Sequence, residues 1–95
     1  MPAYLVADTQ ITDDQTYDEY KRQVAPSIIK FGGRFLVRGG KHELLEGNWQ
    51  VHRLVVIEFP NMETLKSWYG SPEYAPLLAM RQAAATVHLV AVEGC

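Results

Sequence analysis

Two glycine pairs, Gly32-Gly33 and Gly39-Gly40, flank a short arginine-bearing stretch and constrain the chain path more than any other feature. Glycine is favoured where the backbone takes a positive φ or approaches another segment closely. The first pair is therefore expected to end a helix, with Gly32 as its C′ residue. The second pair is expected to bulge the strand that follows. Because strand side chains alternate, Arg34 and Arg38 are predicted to lie on one face of this strand.

The hydrophobic patterns and turn signals divide the rest of the chain into four strands and three helical segments. The predicted strands cover residues 3–11, 34–46, 51–59 and 86–93. The predicted helices begin after a Thr12 N-cap, at Met62, and at Pro72 after a Ser71 N-cap. Pro26 is expected to kink or interrupt the first helix.

This order, β-α-β-β-α-β, predicts an α+β fold of the ferredoxin-like type, as a single domain over residues 1–95. Right-handed crossovers place the helices on one face of a four-stranded antiparallel sheet. The first and third strands are expected at its centre.

The predicted strands carry apolar side chains on both faces, although the helices can cover only one. In the third strand Val55, Ile57 and Phe59 point one way and Leu54 and Val56 the other, and in the last strand Val87 and Leu89 oppose Val90 and Val92. A large exposed apolar face is unusual for a soluble monomer. We therefore expect a homodimer in which two such faces pack together as an α/β barrel. The alternative is a monomer whose second face is merely mixed.

Composition excludes several classes of protein. The chain has 95 residues and a net charge of −2, which favours neither nucleic acid nor an acidic membrane as a partner. No window has the ~20 apolar residues of a membrane helix, and the N-terminus does not look like a signal peptide. The single cysteine, Cys95, excludes a disulfide framework and a thiolate zinc site. A cytoplasmic protein is expected.

Four segments together resemble a known family. They are GGRFLVRGG at 32–40, LEGNW at 45–49, RLVVIEFP at 53–60, and WYGSPEYAPL at 68–77 with the following Arg81. In combination they resemble the domain of unknown function 1330 family, a group of small, mostly bacterial proteins within the dimeric α/β-barrel superfamily. The resemblance implies the ferredoxin-like fold and the homodimer, but no established reaction. The wider superfamily includes cofactor-free monooxygenases, haem-degrading enzymes and isomerases.

The candidate ligand-binding residues are Arg38, Gly39, Trp68, Tyr74 and Arg81. Arg81 shares a helical stripe with apolar side chains, and a buried guanidinium requires either a carboxylate partner or an anionic ligand. Arg38 beside a glycine pair could bind an anion together with free backbone N–H groups. Trp68 and Tyr74 flank a break between two helical segments, where an apolar cleft is expected.

Each candidate also has a purely structural interpretation. Arg81 could pair with Glu58 or Glu73, and Glu46 could pair with Arg53 across a hairpin. The aromatic residues could simply be core.

The chemistry is left open by the sequence. His52 and Glu58 are conceivable bases for proton transfer or cofactor-free oxygenation. The histidines lack metal-ligand spacing, so no metal and no cofactor are expected, although His42 or His52 could in principle ligate haem. The sequence thus predicts a pocket between sheet and helices for a small anionic or carbonyl-bearing molecule. The alternative is a non-catalytic structural or ligand-binding dimer.

Overall fold

The computed structural model describes residues 1–95, which form two layers with Cα extents of 35 × 34 × 17 Å. The strands are β1 (Ala3–Ile11), β2 (Arg34–Arg38), β3 (Leu54–Phe59) and β4 (Ala85–Glu93). The helices are α1 (Asp14–Lys30), α2 (Met62–Tyr69) and α3 (Ala75–Ala84). The predicted α+β class and the order of elements are confirmed. None of the helices has the length and hydrophobicity that a membrane span requires.

The four strands form one antiparallel sheet in the order β2-β3-β1-β4, with β1 and β3 at the centre as predicted. Alternate side chains of β3 (Val55, Ile57 and Phe59) are buried in the core beneath the helices. The opposite face is open. Among its apolar side chains, Val90 and Val92 are 58% and 48% exposed.

The first helix begins one residue later than expected. Asp13, not Thr12, is its N-cap, because the Asp13 carboxylate accepts hydrogen bonds from the Thr16 N–H and hydroxyl at 3.2 and 2.7 Å. The Thr12 N–H instead donates to the Ala84 carbonyl. Pro26 lies inside α1 without interrupting it, since Val24 and Ile28 hold the helix on the core on either side. Gly32 follows the helix with φ +80°, as predicted.

The second strand is much shorter than predicted. It ends at Arg38, and residues 39–53 contain no helix or strand. Gly39, with φ +71°, turns the chain out of the sheet. The predicted hairpin over 34–59 is therefore wrong in its outer half.

The predicted bulge at Gly39-Gly40 lies instead at Leu36. Arg34 and Phe35 pair with Glu58 and Ile57, but Val37 pairs with Val56, so β2 carries one extra residue. This residue breaks the alternation. Arg34 consequently lies beside Glu58 on the open face, whereas Arg38 lies opposite Val55 on the helical face, and the prediction that the two arginines share a face is wrong.

The third helix begins at Ala75, not at Pro72. Ser71 does accept the backbone N–H of Tyr74 at 3.1 Å, but this bond closes a turn over residues 71–74 that precedes the helix. The turn places Tyr74 at the start of α3, facing α1.

Candidate ligand-binding pocket

A cavity lies between the helical face of the sheet and the three helices. It holds about 490 Å³ of non-atom space, including the space at its open mouth. Most of its lining side chains are apolar. Cavities of this kind, apolar with a few polar groups, are typical of small-molecule sites.

The cavity brings together four of the five predicted binding residues: Arg38, Trp68, Tyr74 and Arg81. Gly39 does not line it. The Gly39 N–H donates to the Leu54 carbonyl at 2.8 Å, so it is not free to bind an anion. Its role in the structure is conformational.

Arg81 lies in the last turn of α3 and is 7% exposed. The two carboxylates that could have paired with it are bound elsewhere: Glu58 to Arg34 and Glu73 to Lys30, both at 2.7 Å. No carboxylate lies within 4.0 Å of the guanidinium, and its Nε is buried without a hydrogen-bond partner. Because an uncompensated buried charge is costly, this arrangement favours an anion from outside the chain.

Two tyrosine hydroxyls meet in the same cavity. The hydroxyls of Tyr20, from α1, and Tyr74 are 2.9 Å apart. Burial raises the pKa of Tyr20, and the neighbouring Tyr74 raises it further. Burial also raises the pKa of Tyr74, against the opposing effects of its hydrogen bond to Tyr20 and the Arg81 charge. Both side chains are therefore neutral hydroxyls near pH 7, and because one donates to the other, the pair has one O–H left to donate to a ligand.

Arg53 is a cavity residue that the sequence interpretation missed. Instead of pairing with Glu46, its Nη1 donates to the Tyr17 hydroxyl at 3.1 Å, with the guanidinium carbon 5.6 Å from the Tyr17 ring centroid. The alternation of strand side chains could have indicated this position, because Arg53 lies two and four residues before Val55 and Ile57, which face the helices.

Gly39 makes room for this side chain. A Cβ at position 39 would lie 2.8 Å from the Arg53 Nε, closer than a Cβ atom approaches a heavy atom to which it is not bonded. The glycine therefore allows the Arg53 side chain to lie against the backbone on its way into the cavity.

Arg38 lies at the edge of the cavity and is exposed. Its Nη2 donates to the Lys21 carbonyl at 3.1 Å, and its guanidinium carbon lies 4.2 Å from the Phe35 ring centroid. These contacts leave most of its donors free. Arg38 and Lys21 together make the cavity edge cationic.

Trp68 forms part of the apolar wall and is almost fully buried. Its ring centroid is 4.2 Å from that of Tyr74, and its indole N–H donates to the Ser27 hydroxyl at 3.1 Å. Its polar atom is thus satisfied by the protein, and the ring offers a surface only.

Neither predicted base lines the cavity. Glu58 lies on the open face, paired with Arg34, and His52 is an exposed residue of the 39–53 loop. The ionisable groups that do line the cavity are three tyrosines, Lys21 and three arginines, without an Asp, Glu, His or Cys. The cavity therefore carries net positive charge and no group that would accept a proton at neutral pH.

On the open face, Asp8 holds the end of the 39–53 loop. Its carboxylate accepts the backbone N–H groups of His52 and Arg53 at 2.9 and 3.2 Å and the Trp49 indole N–H at 2.9 Å. Burial alone would raise the Asp8 pKa, but these hydrogen bonds outweigh it and lower the pKa below its usual value. Asp8 is thus a charged anchor for the segment that carries Arg53.

Residues 2–95 match a family described as "Domain of unknown function (DUF1330)". The chain belongs to this family. The predicted resemblance is therefore confirmed. No curated protein matches it significantly.

Several solved structures share the fold of this chain. A protein of unknown function from Rhodopseudomonas palustris matches with a TM-score of 0.81 and 19% identity, over 99% of this chain and 82% of the other. A dimeric ferredoxin-like protein of unknown function from Jannaschia sp. CCS1 gives 0.71 and 12%, over 99% and 100%. SnoaB, a cofactor-independent oxygenase from Streptomyces nogalater, gives 0.58 and 14%, over 99% and 93%. These similarities establish a ferredoxin-like fold for this chain.

Proposed function

We propose that this protein binds a small anionic or carbonyl-bearing molecule in the cavity between its sheet and its helices. Arg81, Arg53 and Arg38 hold the negative or electron-rich group, and Trp68 and Tyr74 form the apolar wall. The observation that carries the proposal is the buried Arg81, which has no carboxylate partner and an Nε without any hydrogen bond.

The charge of the cavity supports an anion over a cation. Four basic side chains line the cavity and no acidic side chain does. A bound carboxylate could accept two parallel hydrogen bonds from one guanidinium, the geometry in which arginine binds most strongly. Such a ligand would also remove the cost of burying the Arg81 charge.

A binding role is favoured over proton abstraction by the protein. His52 and Glu58 lie outside the cavity, and the cavity tyrosines are neutral. Cofactor-free oxygenation is a second candidate, because SnoaB has a similar fold. In that case the arginines and the tyrosine hydroxyls would stabilise an anion of the substrate itself.

We also propose that the protein is a homodimer through the open face of the sheet. Val37, Val90 and Val92 are exposed there, and a second copy would cover them. A structural neighbour with the same fold is described as dimeric. Sedimentation velocity at micromolar concentration should show a dimer, and a well-folded monomer would contradict the proposal.

Thermal shift with a panel of small carboxylates tests the binding role. The wild type should be stabilised, whereas Arg81→Ala and Arg38→Ala should respond less. Arg34→Ala is the matched control, since Arg34 lies on the open face, away from the cavity. If a ligand stabilises all four proteins equally, it does not bind in this cavity.

A further inference from the structure

The two ends of the cavity differ in polarity, and the strand register shows where each end lies. At the end near Ile11, the sheet contributes Thr9, which lies beside Val87 and whose N–H donates to the Arg53 carbonyl. Toward the other end it contributes Leu5, Ile57 and Phe35, which face one another across three strands. One end of the sheet wall is thus polar and the other entirely apolar.

The helices repeat this division. α1 begins at the Ile11 end, where it contributes Tyr17 and Tyr20, and further along it contributes Val24 and Ile28. Arg81 lies one turn before Ala84, whose carbonyl accepts the N–H groups of Thr12 and Asp13 at 2.8 and 3.0 Å. The backbone of Arg81 is therefore also at the Ile11 end, and its guanidinium lies near enough to the Tyr20 and Tyr74 hydroxyls for its charge to oppose the rise that burial causes in the pKa of both.

The polar groups at this end are all donors or neutral hydroxyls. Arg53 and Arg81 supply fixed positive charge, and Thr9, Tyr17 and Tyr20 supply hydroxyl groups. An anionic oxygen would be satisfied here, whereas a cation or a bare hydrocarbon would leave the arginines unpaired.

From this division we infer the ligand class: an organic acid bound as its anion, with the charged group at the Thr9–Arg53–Arg81 end and a compact apolar body against Leu5, Phe35 and Ile57. The inference rests on the proposed anion-binding function and adds the requirement for an apolar body and its orientation. It also separates an anion from an uncharged carbonyl compound.

Three probes of related shape test this by calorimetric titration. Benzoate has both the charge and the ring, acetate has the charge alone, and benzamide has the ring alone. We expect benzoate to bind at least about tenfold more tightly than acetate, because the ring loses its water-exposed surface. We expect a similar advantage over benzamide, because hydrogen bonds to a charged group are stronger.

Two variants test the charged end and the space for the apolar body separately. Arg81→Met should reduce the advantage of benzoate over benzamide at least about threefold, because one of the two guanidinium groups at the charged end is lost and only Arg53 remains. Ala7→Val adds two methyl groups to the middle of the cavity and should weaken benzoate while leaving acetate unchanged. A β-branched residue suits a strand, and an unchanged melting temperature without ligand would show that the variant is folded.

The outcomes separate the two proposals. If acetate and benzoate bind equally tightly and both need Arg81, the anion site stands and the inferred ligand class is wrong. If benzamide binds as tightly as benzoate, the anionic form is not selected and the inference is also overturned. If none of the probes binds, or if Arg81→Met leaves benzoate binding unchanged, the proposed function itself fails.

Discussion

The Asp8 carboxylate accepts a hydrogen bond from the backbone N–H of Arg53, with a distance of 3.2 Å between the two atoms. Asp8 lies on the open face of the sheet, whereas the Arg53 side chain extends into the cavity on the other face. The Arg53 carbonyl in turn accepts the Thr9 N–H at 2.9 Å. Both the N–H and the carbonyl of Arg53 are therefore hydrogen-bonded, which fixes the backbone from which its side chain extends into the cavity. An acid on one face thus positions a cation on the other.

Replacing this acid should destabilise the fold. Asp8→Ala leaves three donors near the site without their acceptor, so we expect a loss of about 1–3 kcal/mol in the free energy of unfolding. Urea denaturation measures it. Glu43→Ala is the control, because Glu43 is an exposed residue of the same loop that forms no side-chain hydrogen bond or ion pair. Equal losses in both variants would show that Asp8 is not an anchor.

The contribution of Asp8 should depend on pH in a defined direction. Its pKa is lower in the folded protein than the ordinary value of 3.8. The ionised form therefore stabilises the fold fully above pH 3.8, and this contribution is lost as the pH falls through the folded pKa. We expect the stability difference between wild type and Asp8→Asn to be constant from pH 7 to about 5 and to shrink below about 4. A difference that grows on acidification would contradict this sign.

Gly39→Ala should affect both the backbone and the cavity. At φ +71° an alanine costs about 1–2 kcal/mol, and its Cβ would displace the Arg53 side chain. Gly47→Ala is a matched control, because Gly47 has φ +92° and open space around it. Both variants should lose stability in thermal denaturation, but only Gly39→Ala should weaken benzoate binding. Equal binding by the two would exclude a role for Gly39 in placing Arg53.

Arg81→Met should separate stability from binding. Without ligand the wild type buries a guanidinium that no carboxylate compensates, so the apolar substitution should be neutral or stabilising, by up to about 4 kcal/mol. Differential scanning calorimetry of the ligand-free proteins checks this. Arg34→Met removes a surface pair instead and should cost no more than about 1 kcal/mol. A marked destabilisation by Arg81→Met would mean that the Arg81 guanidinium supports the fold itself.

Much of the architecture was predictable because it depends on local patterns. Thr12-Asp13 before an amphipathic stretch, Gly32 after it, and the alternation that groups Val55 with Ile57 specify the elements and the two faces of β3. The family resemblance added the same fold. The placing of Arg81, Trp68 and Tyr74 on the inner side of the helices also followed from helical spacing.

The remaining features depend on contacts between distant segments, which periodicity does not show. Leu36 is recognised as the extra residue only because its neighbours Phe35 and Val37 pair with adjacent residues of β3. The faces of Arg34 and Arg38 therefore could not be predicted from simple alternation. The end of the 39–53 loop is held by Asp8, more than 40 positions away in the sequence. The predicted hairpin rests on local signals alone, which take no account of these hydrogen bonds. The pair of Glu58 with Arg34 likewise forms between neighbouring strands, so the sequence alone did not show that this conceivable base is held on the open face.

The extra residue in β2 has a consequence for how relatives of this protein should be aligned. Arg34 and Arg38 lie four positions apart and yet on opposite sides of the sheet. A homologue one residue shorter at this point would keep both charges on the same sides, in an unbroken strand. Arginines of two such proteins should therefore be aligned by the residues of the neighbouring strand with which they pair. An alignment without a one-residue gap at Leu36 would match side chains that lie on opposite faces of the sheet.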